Sequence, residues 1–235
     1  MPSAAKAYKG MGMEGWVARW YAANTGKDLS DFTAQARKLA ASLAPAAAVL
    51  EIAPGPGYFA IELARAGNFR ITGLDISATF VDLARKNAAD ARVEVDFRRG
   101  DAAHMPFEAN TFDAIFCRAA FKNFSQPVMA LQEMCRVLKP GATALIIDLR
   151  KDVSKEAIDA EVATLKQSPL NAFFTKWTFR LMLVKRAYTK DRFLDFIRQT
   201  DFTGSDIRET RTGFEISLRK VIGGDYGVAA DDGAG

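Results

Sequence analysis

Val49-Leu50-Glu51-Ile52-Ala53-Pro54-Gly55-Pro56-Gly57-Tyr58-Phe59 is the stretch that decides the fold. An apolar run long enough for one buried strand ends in a turn built from two prolines and two glycines. The turn leads directly into Ile61, Leu63 and Ala64, which recur at helical spacing. Glycines at such a turn let the chain reverse tightly and bring backbone amides close to a ligand at the carboxyl end of a sheet. As a bare pattern the stretch has several readings. Gly55-x-Gly57-x-x-Ala60 also satisfies a dinucleotide fingerprint of the G-x-G-x-x-A kind, and a turn that binds nothing has the same composition.

Outward from this turn the pattern repeats. Apolar runs at 70–74, 93–97, 112–117 and 142–148 join 48–53 as buried strands, and between most of them lie stretches with apolar residues at helical spacing. Phe80, Val81, Leu83 and Ala84 mark one such helix, and Val128, Leu131, Met134, Cys135 and Leu138 another. Strands alternating with helices imply a parallel sheet covered on both faces, a doubly wound α/β domain. Residues 12–43 read as two helices broken near Gly26. After Arg150, helices are expected over 155–167, over an aromatic-rich stretch at 172–186, and after an N-cap at Thr189. Residues 206–221 alternate around Thr212-Gly213 and read as a hairpin. The expected organisation is one domain over 1–222: a helical cap (12–43), a cofactor-binding core (48–149), a helical insertion (153–200) and a terminal strand pair (205–221). Residues 223–235, mostly Gly, Ala and Asp, read as a disordered tail.

Composition narrows the class. The 235 residues are 49 % hydrophobic and 26 % charged, which excludes a disordered chain, a collagen-like repeat and a disulfide-stapled miniprotein. No apolar run approaches the ~20 residues of an integral membrane segment, and with no apolar block behind Lys6 and Lys9 a secretory signal is not expected. Cys117 and Cys135 form no C-x-x-C pattern and read as reduced thiols of a cytoplasmic protein. The net charge of +4 comes from interleaved bases and acids, with only short clusters such as Arg98-Arg99 and Lys185-Arg186. A nucleic-acid partner calls for a concentrated basic patch, so none is expected. No metal site is expected either.

Four further blocks carry chemistry. Gly73-Leu74-Asp75-Ile76-Ser77 ends the second strand on an acid, a position that accepts hydrogen bonds from ribose hydroxyls in this fold. Arg99-Gly100-Asp101-Ala102-Ala103-His104-Met105-Pro106-Phe107 follows the third strand. Phe112-Asp113-Ala114-Ile115-Phe116-Cys117-Arg118 is the fourth strand, and Arg136-Val137-Leu138-Lys139-Pro140-Gly141 precedes the fifth. Together the five blocks, in order and spacing over 49–148, resemble the class I S-adenosylmethionine-dependent methyltransferases. The similarity is to the small-molecule type that includes the ubiquinone and menaquinone biosynthesis enzymes.

The resemblance implies a Rossmann-like seven-stranded sheet, mostly parallel, with a C-terminal antiparallel pair. It implies S-adenosylmethionine as cofactor. Glu51 and the backbone of Ala53, Gly55 and Gly57 would lie along its methionine and ribose. Asp75, with Ile76 beside it, would take the ribose hydroxyls. Asp101 and the Ala102 amide would meet the adenine, and the Cys117 carbonyl the methionine ammonium. Two departures stand out. Ala53 occupies a position where the family more often has glycine, and Ala119-Ala120-Phe121-Lys122-Asn123-Phe124 lacks the histidine many relatives carry after the fourth strand. The one histidine, His104, reads as a loop residue near the adenine pocket.

The acceptor expected is a small, partly apolar or aromatic metabolite. Its pocket candidates are Tyr21, Arg118, Asn123, Arg150, Phe174 and Trp177, and Asp148 and Lys122 are the candidates for a catalytic base. Residues 12–43 and 172–186 are expected to close over it as a lid. A monomer or homodimer is expected. The competing readings are an NAD(P)-dependent oxidoreductase and a non-catalytic nucleotide-binding protein. A dehydrogenase would not call for Gly100-Asp101-Ala102 or for a terminal strand pair.

Overall fold

The computed structural model describes residues 8–9, 13–25, 29–164 and 184–221. In chain order the elements are α1 (Gly15–Thr25), α2 (Ser30–Ala40), β1 (Ala48–Ile52), α3 (Tyr58–Ala66), β2 (Arg70–Asp75), α4 (Ala78–Ala91), β3 (Asp96–Arg99), β4 (Phe112–Arg118), α5 (Pro127–Val137), β5 (Leu138–Leu149) and α6 (Lys155–Thr164). A helical turn at Val184–Arg186, α7 (Lys190–Ile197), β6 (Gly204–Glu209) and β7 (Gly213–Arg219) complete it. The strands form a seven-stranded sheet in the order β3-β2-β1-β4-β5-β7-β6. The first five are parallel, and β7 runs antiparallel to both β5 and β6.

Alternation along each strand divides the core. From β1, Ala48, Leu50 and Ile52 join α5 and α7 on one face through Leu131, Met134, Phe193 and Phe196. Val49 points to the other face, where Phe59, Leu63, Val81, Ala84 and Phe116 join α2, α3 and α4. Every residue of β1 is buried, as expected of a central parallel strand. Phe59 stacks on Phe116 with ring centroids 3.8 Å apart, fixing α3 across β4.

Two strands differ from the sequence reading. The third strand, expected at 93–97, is formed by Asp96–Arg99. Arg92 takes a left-handed conformation (φ 56°) and closes α4, its amide bonding to Ala89 and that of Val93 to Ala88. This helix-ending motif uses up the next residues, so Val93 and Val95 pack against the core before pairing starts. The fifth strand, expected at 142–148, extends over Leu138–Leu149. Its early part is tied down by the Gly141 amide, which donates to the Lys220 carbonyl at 2.7 Å. Thr189 caps α7 as read, accepting from the Arg192 amide. Residues 165–183, which hold most of the aromatic stretch, and the tail lie outside the described residues. Among the described residues no helix is long and apolar enough to cross a membrane.

Candidate active site

The strand order reverses between β1 and β4, which both begin crossovers to opposite sides. In open α/β sheets the crevice beyond the carboxyl ends at that point receives the ligand. Four of the five sequence blocks send residues there.

The glycine turn is shaped by what lies beneath it. Phe97 is wholly buried under the turn. A Cβ at Gly57 would come within 2.7 Å of its ring, and one at Gly73 within 2.5 Å. Gly57 also has φ +80°, so it is required twice over: by conformation and by contact. Ala53, which replaces the family's usual glycine, is held at φ 55° with its amide on the Leu74 carbonyl at 2.8 Å. Left-handed backbone is costly for alanine. Ala53→Gly is therefore expected to raise stability by about 0.5–1 kcal/mol after its greater freedom in the unfolded chain is discounted. Thermal unfolding checks this, and an unchanged or lower midpoint would show that the residue bears no strain.

Asp75, at the end of β2, is 5 % exposed. Its two carboxylate oxygens accept from the Gly55 amide at 3.0 Å and the Ser77 amide at 2.9 Å, so it ties the glycine turn to the start of α4. Burial pushes its pKa up to about 6, against the pull of those amides. Beside it Ile76 is 37 % exposed, a large apolar side chain turned to solvent. Glu51 projects from β1 toward α3, accepts from the Ala60 amide at 3.1 Å, and is pushed by burial up to about 8. Glycine turn, two buried acids and an exposed isoleucine meet at the carboxyl ends of β1 and β2.

After β3, Asp101 folds a tight turn. Its side chain accepts from the Ala103 amide at 2.9 Å, and His104 Nδ1 lies 3.6 Å from its other oxygen. The His104 side chain is 66 % exposed, on the rim. Ala102 packs against the core. Arg136 holds this loop in place: it pairs with Glu133 and donates to the Phe107 and Met105 carbonyls at 2.8 and 3.0 Å. The polar residue of the fifth block is thus a brace. Asp113 of the fourth block is another, accepting from the Ala48 amide and from Lys139, both at 2.8 Å, at the opposite end of the sheet.

The acceptor candidates separate. Cys117, the penultimate residue of β4, is fully buried, and burial holds its thiol well above the usual range. Arg118 pairs with Asp31 of α2 and lies over the Phe32 ring, 4.5 Å from its centroid. Arg150 pairs with Glu209 of β6 and is directed toward the strand pair. Tyr21 of α1 packs edge-on against Phe80. Lys122 and Asp148 form a buried pair: Lys122 Nζ donates to Asp148 Oδ1 at 2.9 Å and the Lys122 amide to Oδ2 at 2.8 Å. The Leu149 amide also donates to Oδ1, at 2.7 Å. Phe174 and Trp177 lie outside the described residues.

Sequence reading missed the segment before α1. Glu14 accepts from the Ala78 and Thr79 amides and the Thr79 hydroxyl, capping α4 beside Asp75, and the Ser77 hydroxyl donates to the Met13 carbonyl at 2.7 Å. Tyr58 donates to the Ala22 carbonyl at 3.0 Å. These contacts join residues far apart in the chain, and no local pattern in the sequence announces them.

Strand order and the residues at the carboxyl ends of the strands give the chain the fold of the class I S-adenosylmethionine-dependent methyltransferases. Residues 49–141 match the family described as methyltransferase domain. Over 101 residues the chain is 40 % identical to the demethylmenaquinone methyltransferase of Deinococcus radiodurans, a match covering 43 % of this chain and 42 % of that protein. The chain thus matches less than half the length of this curated relative. A methyltransferase-fold protein of Methanococcus maripaludis superposes with TM-score 0.73 at 21 % identity, over 94 % of this chain and 100 % of that one. The [4+2]-cyclase SpnF also shares the fold, at TM-score 0.61 and 21 % identity over 80 % and 81 % of the two chains. Fold alone leaves the reaction open. The antiparallel β6–β7 pair does not favour the dehydrogenase reading.

Proposed function

We propose that the protein transfers a methyl group from S-adenosylmethionine to a small, partly apolar acceptor. The observation that carries this is the buried Asp75 carboxylate, bonded to the glycine-turn amide and flanked by the exposed Ile76. The Asp75 oxygens accept the Gly55 and Ser77 amides, and the carboxylate has further lone pairs to offer ribose hydroxyls. Ile76 offers an apolar face to the adenine, and Asp101 with the Ala102 amide its edge. Glu51, Ala53, Gly55 and Gly57 line the path of the methionine, which ends at the Cys117 carbonyl. The cofactor's sulfonium makes the methyl group electrophilic.

What remains for the chain is to orient the acceptor and exclude water, worth ~7–11 kcal/mol of barrier. We assign Lys122 and Asp148 to holding the turn after β4 on β5, with Asn123 and Tyr21 at the acceptor side. The relative's name supports an apolar, quinone-like acceptor. Titration calorimetry with S-adenosylhomocysteine and with NAD tests the cofactor: binding of the first and not the second is expected, and the reverse would overturn the proposal. Asp75→Ala is expected to weaken S-adenosylhomocysteine at least tenfold, since charge-assisted hydrogen bonds contribute ~1.5–3 kcal/mol each. An unchanged dissociation constant would remove Asp75 from the site.

A further inference from the structure

Tyr8 and Lys9 precede every helix and strand, yet they sit on the turn that follows β4. Tyr8 pairs with Phe124 in an antiparallel bridge, and the Lys9 amide donates to the Asn123 carbonyl at 2.8 Å. From the other side Arg186 Nη1 donates to Asn123 Oδ1 at 3.5 Å. Asn123 is buried. The backbone of Tyr8 and Lys9 and the side chain of Arg186 therefore meet on one turn, at the carboxyl ends of β4 and β5.

The charges on this side are unbalanced. Lys9 Nζ donates to the Tyr188 hydroxyl and lies over its ring, 4.7 Å from the centroid. Among the described residues neither Lys9 nor Arg186 has a carboxylate within ion-pair distance, and Asp148 nearby is already matched by Lys122. Burial pushes the Tyr8 hydroxyl up, an effect that Arg186 opposes and Tyr21, Asp75 and Asp148 reinforce, so it stays a neutral donor. Those same partners place it within electrostatic reach of both the Asp75 end and the Asp148 end of the crevice. Two cations without acid partners among the described residues, with a neutral phenol near them, make a place for negative charge.

We infer that the acceptor is held as an oxyanion, its charged oxygen bound by Arg186 and the Tyr8 hydroxyl. The inference rests on the methyl-transfer reading and adds the acceptor's ionisation state to it. It also fits the state of the candidate bases among the described residues: His104 lies on the rim, and Lys122 and Asp148 are bonded to one another. An acceptor that has given its proton to solvent needs no such base. As the new bond to the methyl carbon forms from the anion, the S–C electron pair returns to sulfur, and one negative and one positive charge vanish together.

Calorimetry on the S-adenosylhomocysteine-saturated protein tests this with three probes at pH 8: 4-nitrophenol, its methyl ether 4-nitroanisole, and benzoate. One of the two anions is expected to bind at least tenfold more tightly than the neutral ether. 4-Nitrophenolate as the tighter anion marks a phenolate or enolate acceptor, and benzoate marks a carboxylate. Arg186→Gln is expected to weaken the anion at least tenfold and Tyr8→Phe about threefold, while Arg186→Lys retains most of the affinity. S-adenosylhomocysteine should bind all three variants as it binds the wild type. Equal affinity for anion and ether, no binding of either anion, or an Arg186→Gln variant that binds the anion unchanged would each overturn the inference. Failure of the wild-type protein to bind S-adenosylhomocysteine at all would instead overturn the methyl-transfer reading beneath it.

Discussion

Lys122→Met is expected to destabilise the protein by about 3–5 kcal/mol, because it leaves the Asp148 carboxylate buried without a cation. Lys122 is 3 % exposed, and its ammonium divides between Asp148 and the Ala119 carbonyl. Methionine matches the length of the lysine stem, so the loss is electrostatic rather than a cavity. Asp148 also accepts the Lys122 and Leu149 amides, and these anchor the turn after β4 to the end of β5. In a chain of this size the loss should lower the unfolding midpoint by roughly ten degrees. The second variant makes the test specific. Lys122→Met with Asp148→Asn removes the stranded charge while keeping an oxygen for one of the amides, and is expected to recover more than half of the stability. If the double variant is as unstable as Lys122→Met alone, the loss came from packing and the charge argument fails.

The same pair shows where the sequence was readable and where it was not. The strand–turn–helix at 49–59 announces itself because each of its causes is local: a buried apolar run, two glycines, and helical spacing after them. Asp75 could be placed because a fixed number of residues links it to that turn in this fold. Lys122 and Asp148 were legible as polar residues near the strand ends. Their mutual bond was not, since it depends on how β4 and β5 pair, 26 positions apart in the chain. The third strand slipped for a similar reason. Arg92 carries no sign in its type that it will adopt a left-handed helix end, so Val93 and Val95 looked like the strand they only precede. Arg136 and Asp113 lie in two of the chemistry-bearing blocks but received no role from the sequence, and the fold uses both as braces. Tyr8, Glu14 and Arg186 had no local signature at all. Each meets the residues beside the strand ends through tertiary contacts, which spacing along the chain cannot encode.

Glu51→Gln is expected to change how the protein responds to pH, in stability and in cofactor binding together. Glu51 is 4 % exposed and, among the described residues, accepts a single hydrogen bond, from Ala60. Burial pushes its pKa from the ordinary 4.5 up to about 8, the Ala60 amide pulls it back, and the neighbouring Asp75 adds to the rise. Between those two values the folded protein without cofactor holds a proton that the unfolded chain has released. Stability from this group is therefore complete below about 4.5 and is lost as pH climbs toward about 8, by about 1.4 kcal/mol per pH unit within the window. Asp75, raised to about 6, steepens the lower part of the same decline. Glutamine has no proton to lose, so the variant should match the wild type near pH 4.5 and exceed it in unfolding midpoint near pH 8.5. Binding has the opposite sense. A cationic ligand beside Glu51 favours the carboxylate, so the wild type should release a proton when the cofactor enters at pH 6.5 and should bind more tightly as pH rises. Calorimetry in two buffers of different ionisation enthalpy counts that proton. The variant is expected to bind at least tenfold more weakly at pH 8, with less proton release and a flatter pH profile. Parallel stability curves for variant and wild type, with equal proton release, would show that Glu51 is already ionised in the empty crevice and that burial does not govern it.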